Sequence, residues 1–174
     1  SQNIARVICR HMGVPEDVVT LALKDFSSPE GRLNRLELVG MTVIDDTYNA
    51  NPVSFRSALE AIGHQQCFGR RILICADMLE LGVQSEKYHR EIGTCAVSAG
   101  INRIFSYGKF SKYIGLSAKE REPRIAVFHS DKPEEIEAKI KDGLVAGDIV
   151  LVKGSRGMRT ERFVDFIKKN YNGR

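Results

Sequence analysis

The sequence lacks the signatures that mark many nucleotide- and metal-dependent enzymes. No G-x-x-x-x-G-K-[ST] string occurs, so the chain encodes no Walker-type phosphate loop. No G-x-G-x-x-G, nucleophile elbow or Ser-His-Asp pattern is present, which leaves a dehydrogenase or a hydrolase without positive support. The histidines His11, His64, His89 and His129 lie far apart without H-E-x-x-H spacing, and no metal site is expected. The cysteines Cys9, Cys67, Cys75 and Cys95 form no C-x-x-C pair and read as buried free thiols of a reducing compartment. No apolar run reaches membrane length and no secretory leader pattern opens the chain, so a cytoplasmic protein is expected. The net charge of +4 is spread out, with no Lys/Arg run and no RNP, KH or zinc-finger pattern. Nucleic acid is therefore not indicated, and small anionic substrates suit the balance equally well.

The 174 residues suffice for one well-cored domain, or one domain plus a fragment of another. Hydrophobic residues make up 43% and charged residues 28%, a balance that excludes a disordered tail. Ser rather than Met opens the chain, so its start reads as a processed or excised one.

Two patterns follow one another. Ile4 to Met12 has one apolar helical face, Gly13 ends it, and Pro15 opens a second helix that runs to about Phe26. The breaker cluster Ser27-Ser28-Pro29-Glu30-Gly31 marks a domain boundary, giving a short helical segment over 1–30 and a larger domain over 31–174. Leu36 to Val39 and Met41 to Ile44 then form a hairpin around Gly40. Thereafter strands expected at 71–76, 104–107, 125–128 and 148–152 alternate with helices at 52–62, 85–99, 110–116, 133–144 and 158–171. That alternation predicts an α/β, Rossmann-like, mainly parallel sheet with helices on both faces.

In such sheets ligands bind at the carboxyl ends of the strands, and polar clusters fall there. Asp45-Asp46-Thr47-Tyr48-Asn49-Ala50-Asn51-Pro52 offers carboxylates for ribose hydroxyls and amides for a base, or else an Asx-turn and helix cap. Asp77-Met78-Leu79-Glu80-Leu81-Gly82, with His89 one turn into the next helix, could orient an amine or simply solvate a loop. Lys153-Gly154-Ser155-Arg156-Gly157 resembles an anion cradle, with a tight charged turn as the alternative. Gly31-Arg32 places a guanidinium at the boundary, where it could reach phosphate on domain closure.

Taken in order, G-R-L, D-D-T-Y-N-A-N-P, D-M-L-E-L-G, H-R-E-I-G and L-V-K-G-S-R-G-M resemble the C-terminal part of the Mur ligases, from Gly31 to about Phe166. Within that family the strings are most similar to the branch that adds D-alanyl-D-alanine. Residues 1–28 resemble the helical end of the family's central ATPase domain. The resemblance implies ATP as cosubstrate, with Mg²⁺ ligands, P-loop and carbamylated lysine in a central domain that this chain lacks. The reaction implied has two steps. The carboxylate of UDP-MurNAc-tripeptide is phosphorylated, and the amine of D-alanyl-D-alanine then displaces phosphate from the acyl phosphate. The UDP-binding and central domains would be the remaining partners, and the chain by itself would be inactive. By the same resemblance Arg32 would face ATP phosphate, Asp46 the ribose, and Asn49 and Asn51 the nucleotide. Lys153, Ser155 and Arg156 would face the acceptor or the reacting phosphate, and Asp77, Glu80 and His89 the acceptor side. Ala76 stands where the family usually has Gly, so the backbone there would differ slightly. Two other readings stay open: a related Mur-type or folylpolyglutamate-like ligase with another acceptor, and a free-standing nucleotide- or peptide-binding module.

Overall fold

Consecutive apolar residues in the strands feed two separate cores. In the run Ile72 to Cys75, Ile72 and Ile74 join Val150 and Val152 in one cluster, whereas Leu73 and Cys75 join Leu151 and Ile104 in the other. Strand side chains alternate between faces, so an unbroken apolar run suits a sheet covered on both sides. The computed structural model of the protein describes residues 2–24 and 29–171.

Two helices, α1 (Gln2–His11) and α2 (Glu16–Lys24), come first. Arg6 holds them together by pairing with Glu16 and donating to Thr20 Oγ1 at 3.1 Å. The hairpin β1 (Asn34–Leu38) and β2 (Met41–Asp46) follows. Its turn residues Val39 and Gly40 have φ of 48° and 76°, the two left-handed positions of a tight hairpin turn. Then come α3 (Pro52–Gly63), β3 (Arg71–Ala76), α4 (Ser85–Ser98), β4 (Ile101–Tyr107), α5 (Lys112–Arg121), β5 (Ala126–Ser130), α6 (Pro133–Lys141), β6 (Ile149–Lys153) and α7 (Glu161–Tyr171).

The sheet order is β1-β2-β6-β3-β4-β5, parallel throughout except for the edge strand β1. Helices α3, α4 and α5 supply Phe55, Ile92 and Ile114 to one core, and α6 and α7 supply Ile136 and Phe163 to the other. The expected fold class is thus the observed one. Neighbouring strands β2 and β6 lead into helices on opposite faces, α3 and α7. Their loops diverge, and a crevice opens at the carboxyl ends of the two strands, the place where such sheets bind ligands.

Several boundaries differ from the sequence reading. The expected end of the second helix near Phe26 lies outside the described residues. Helix α5 begins at Lys112 and continues to Arg121, because Ser117 and Ala118 are buried and Ser117 Oγ meets Thr94 Oγ1 of α4 at 3.2 Å. Helix α6 stops at Lys141, and the Gly143 carbonyl instead accepts from Arg70 at 2.9 Å and Arg103 at 3.2 Å. The last helix starts at Glu161, since Arg156–Met158 form a 3-10 turn and Arg159 has a left-handed φ of 51°. Of the four thiols only Cys75 is buried; Cys9, Cys67 and Cys95 are half-buried.

At the amino ends of the strands, Asp148 closes the loops that enter β3 and β6. Its Oδ1 accepts from Arg70 N at 3.0 Å and Nε at 3.1 Å, and its Oδ2 from Arg70 Nη2 at 2.6 Å and Val145 N at 2.9 Å. Burial by itself would raise this carboxyl's pKa, but the Arg70 guanidinium and the two amides outweigh it and hold it below its ordinary value. A depressed carboxyl stabilises the fold above its unfolded pKa of 3.8, and that contribution is lost as pH falls through the folded value. Asp148→Asn should therefore cost about 1–3 kcal/mol at neutral pH. It should also flatten the acid limb between about pH 5 and pH 2, as read by denaturant unfolding at a series of pH values.

Candidate functional site

The last rung of the β2–β6 ladder pairs Asp46 with Lys153. Lys153 Nζ donates to Asp46 Oδ2 at 2.5 Å and to the Asn49 carbonyl at 2.9 Å. The lysine side chain is 1% exposed and the aspartate 13%. Taking two charges out of water costs several kcal/mol per ion, on the order of what good geometry returns. The pair therefore holds the crevice floor in one arrangement more than it adds stability. Asp46 Oδ1 also accepts from Leu33 N at 3.2 Å, which ties the segment before β1 to the end of β2. Each carboxylate oxygen has two lone-pair sites, so both retain room for a ligand hydroxyl.

The loop after β2 organises itself. Asp45 Oδ1 accepts from Thr47 N at 3.2 Å and Thr47 Oγ1 at 2.7 Å, forming an Asx-turn. Asn51 caps α3: its Oδ1 accepts from Ser54 N at 2.8 Å, while Ser54 Oγ accepts from Asn51 N at 3.2 Å. Pro52 takes the first helical position, where its missing N–H costs nothing. Asn49 Oδ1 accepts from Ala50 N at 2.9 Å and Arg156 N at 3.4 Å.

The loop after β6 is stapled to its neighbours by Ser155. Its hydroxyl accepts from Leu79 N at 2.9 Å and donates to the Ala50 carbonyl at 3.2 Å. Ala76 is fully buried, and its methyl fills space beside Gly154, where a Cβ would come within 2.9 Å of it and 2.6 Å of Thr160 Cγ2. A side chain at position 154 is thus excluded by Thr160 and by the residue at 76.

These loops enclose a cleft of about 230 Å³ lined by Arg32, Asp46, Tyr48, Asn49, Asn51, Ser54 and Lys153. A second hollow of about 440 Å³ adjoins it across Tyr48, bounded by Gly31, Thr47, Arg156, Glu161 and Lys168 among others. The Arg32 guanidinium lies 4.2 Å from the Tyr48 ring centroid and that of Arg156 lies 6.0 Å from it. Gly31 has φ +73°, and a Cβ there would stand 2.9 Å from Tyr48 N, so the close approach requires glycine. A hollow elsewhere of about 520 Å³, lined by Arg103, Phe128 and Lys139 among others, receives none of the sequence clusters.

The structure brings Arg32, Asp46, Asn49, Asn51 and Lys153 to one cleft, with Arg156 at its rim. It separates their tasks in ways that spacing could not indicate. Arg32, Asn49 and Arg156 are exposed, whereas Lys153 and Ser155 are buried and engaged in holding loops. Asp77 is buried, and its Oδ1 accepts from Phe110 N at 2.9 Å and Ser111 N at 2.6 Å, so it anchors the β4–α5 loop. Glu80 is exposed with a left-handed φ of 63°.

The expectation that His89 faces the acceptor side does not fit its position. The ring is 0% exposed. Its Nε2 accepts from Met78 N at 2.9 Å and its Nδ1 bonds the Ser85 carbonyl at 2.6 Å, so neither nitrogen is left for a substrate. Met78 N–H and the Ser85 carbonyl together select the neutral Nδ1–H tautomer. Burial pulls the His89 pKa down, against smaller opposing contributions from the Ser85 carbonyl and the Asp77 charge.

Two arrangements escaped the sequence reading. Tyr48 stands between two arginines, a contact only the fold can reveal. Ser106 Oγ lies 3.1 Å from His129 Nδ1, and His129 Nε2 lies 3.8 Å from Asp131. Ser106 is fully buried, so this row offers a substrate no reachable nucleophile.

Comparison with known proteins bears on this geometry. The family model for the Mur ligase glutamate ligase domain matches residues 31–156. UDP-N-acetylmuramoyl-tripeptide–D-alanyl-D-alanine ligase of Bacillus subtilis (strain 168) is 34% identical over 154 residues, covering 86% of this chain and 33% of that protein. The enzyme of the same name from Escherichia coli (strain K12) is 30% identical over 169 residues, covering 95% and 36%. The crystal structure of the MurF ligase of Thermotoga maritima in complex with ADP superposes with a TM-score of 0.77 at 28% identity, covering 94% of this chain and 36% of that one. The chain thus spans about a third of the length of the curated relatives it matches.

A base whose folded pKa is depressed stabilises the fold above its unfolded pKa of 6.5 and loses that contribution as pH falls. His89→Gln should cost about 1–3 kcal/mol at neutral pH through the unsatisfied Met78 amide. The loss should shrink as pH falls below about 6. Thermal melts across that range provide the measurement, and a loss independent of pH would contradict the buried neutral ring.

Proposed function

The chain belongs to the Mur ligase family through its glutamate ligase domain, and on that footing we propose that it is the C-terminal part of an ATP-dependent amide ligase. The proposed reaction joins D-alanyl-D-alanine to UDP-MurNAc-tripeptide through an acyl phosphate, in peptidoglycan precursor synthesis. The acceptor assignment is supported by the names of the relatives cited above. We also propose a domain boundary at residues 30/31, which the start of the family match at residue 31 supports, with residues 1–30 as the end of a central ATPase domain.

The observation that carries the nucleotide half of this reading is the Asp46–Lys153 cleft. A cleft of about 230 Å³ lies below the roughly 300–1,000 Å³ of sites that enclose a whole small ligand. It offers a carboxylate for hydroxyl groups and an exposed arginine for phosphate, with the Tyr48 ring behind that arginine. These suit one side of a nucleotide, and the other side would come from the central domain. When bound there, ATP supplies the phosphoryl group. In this chain Asp46 would accept from the ribose hydroxyls, Arg32 would pair with phosphate oxygens, and Arg156 would stabilise charge on the reacting phosphate. Lys153, Ser155 and His89 would keep the three loops in register. Mg²⁺ would be held outside this chain, where the resemblance puts its ligands. No described helix is long and apolar enough to cross a membrane, and we place the enzyme in the cytoplasm, where its soluble nucleotide precursors would be.

A free-standing binding module predicts strong ADP affinity without any further domain. The half-site reading predicts weak binding that displaces the amide resonances of Arg32 and Asp46 to Asn51. Asp46→Asn should abolish those displacements; it also strips the buried Lys153 ammonium of its counter-charge and should cost about 3–5 kcal/mol, so the titration is run at a temperature where a denaturant melt shows the variant folded. The chain alone should release no phosphate in response to D-alanyl-D-alanine. Displacements centred on another part of the chain, or acceptor-dependent phosphate release, would each overturn the assignment.

A further inference from the structure

Tyr48 is the point where the three segments of the candidate site are bolted together. Its N–H donates to the Gly31 carbonyl at 2.9 Å, which fixes the residue next to Arg32. The neighbouring Asn49 side chain accepts from Arg156 N at 3.4 Å, which fixes the backbone of the second arginine. Between these anchors the Tyr48 ring carries both guanidiniums, at 4.2 Å and 6.0 Å. Among the described residues the Arg32 guanidinium has no hydrogen-bond or ion-pair partner. Arg156 has only a loose approach to Glu161, at 3.9 Å.

Two cations gathered on one ring repel each other, and the ring quadrupole offsets only part of that repulsion. The arrangement becomes favourable when an anion joins it. Stacking occupies the flat face of a guanidinium and leaves its in-plane N–H groups free, the geometry needed for bidentate contact with phosphate. The ring is also a wall common to both hollows, so the clamp stands at their boundary.

We propose that Tyr48 is a positioning residue that presents Arg32 and Arg156 as a paired clamp for the phosphates of a nucleoside di- or triphosphate. The proposal rests on the nucleotide reading of the same cleft. It adds a residue whose work is done by its ring face, the hydroxyl being dispensable. Each exposed cation–π contact corresponds to a factor of about two to five in an equilibrium constant. Losing both should weaken phosphate binding about four- to twenty-five-fold.

The test uses the isotope-labelled chain with ADP, inorganic pyrophosphate and adenosine as separate probes. In the ligand-free protein the Arg32 side-chain protons should show ring-current shifts that vanish in Tyr48→Leu. That variant should bind ADP and pyrophosphate about four- to twenty-five-fold more weakly while its adenosine response is unchanged, and Tyr48→Phe should match the wild type within about twofold. Arg32→Ala should cost less in the Tyr48→Leu background than in the wild type. Absence of the ring-current signature, or Tyr48→Leu binding ADP like the wild type, overturns the clamp and leaves the nucleotide cleft standing. A wild-type chain that shows the signature yet responds to neither ADP nor pyrophosphate overturns the cleft assignment and the clamp's ligand together.

Discussion

The Asp46–Lys153 pair is the contact on which the site depends. It joins the last residues of two parallel strands whose helices depart to opposite faces, and so bridges that divergence at its base. Removing either partner would leave a buried charge uncompensated. From this pair the rest follows in steps. Asp46 takes hold of the Leu33 amide, Lys153 takes hold of the Asn49 carbonyl, and the loop after β2 is thereby set between the hairpin and the loop after β6.

Buried polar groups elsewhere do the same kind of work. Ser155, Asp77 and His89 each satisfy backbone groups of a neighbouring loop, and each would be read from its residue type as a candidate for chemistry. Their shared feature is that their polar atoms are spent on the backbone. Buried donors and acceptors in a low-dielectric interior must find partners, and loops at strand ends have many unpaired amides to offer. Reactive-looking side chains thus become fasteners, and the groups that reach outward are the exposed Arg32, Tyr48, Asn49 and Arg156. The division suits a domain that supplies one wall of a site: a buried, fully bonded floor, with exposed charges at the rim.

Much of this was legible in the chain. The apolar runs at 71–76 and 148–152 specify central parallel strands, since a strand buried on both faces needs apolar residues at every position. The string Asp45 to Pro52 was legible as a cap and turn, because an Asn followed by Pro and Ser at those offsets satisfies helix-start amides locally. The ends of α5 and α6 were not. Ser117 looks like a surface residue until Thr94 of another helix is placed against it, and the Gly143 carbonyl stops belonging to a helix once two arginines, one just before β3 and one in β4, bond it.

By itself the sequence determined the layer order, the hairpin and the positions along the chain where polar clusters meet strand ends, because each follows from periodicity and turn chemistry within about ten residues. Only the tertiary structure decided which members of those clusters are exposed in the crevice and which are buried. That depends on partners roughly a hundred residues away: Lys153 on Asp46, Ser155 on Ala50, and Arg156 on Tyr48. A side chain's availability is set by what else can satisfy it, and the strand order β2-β6-β3 chooses those neighbours in space.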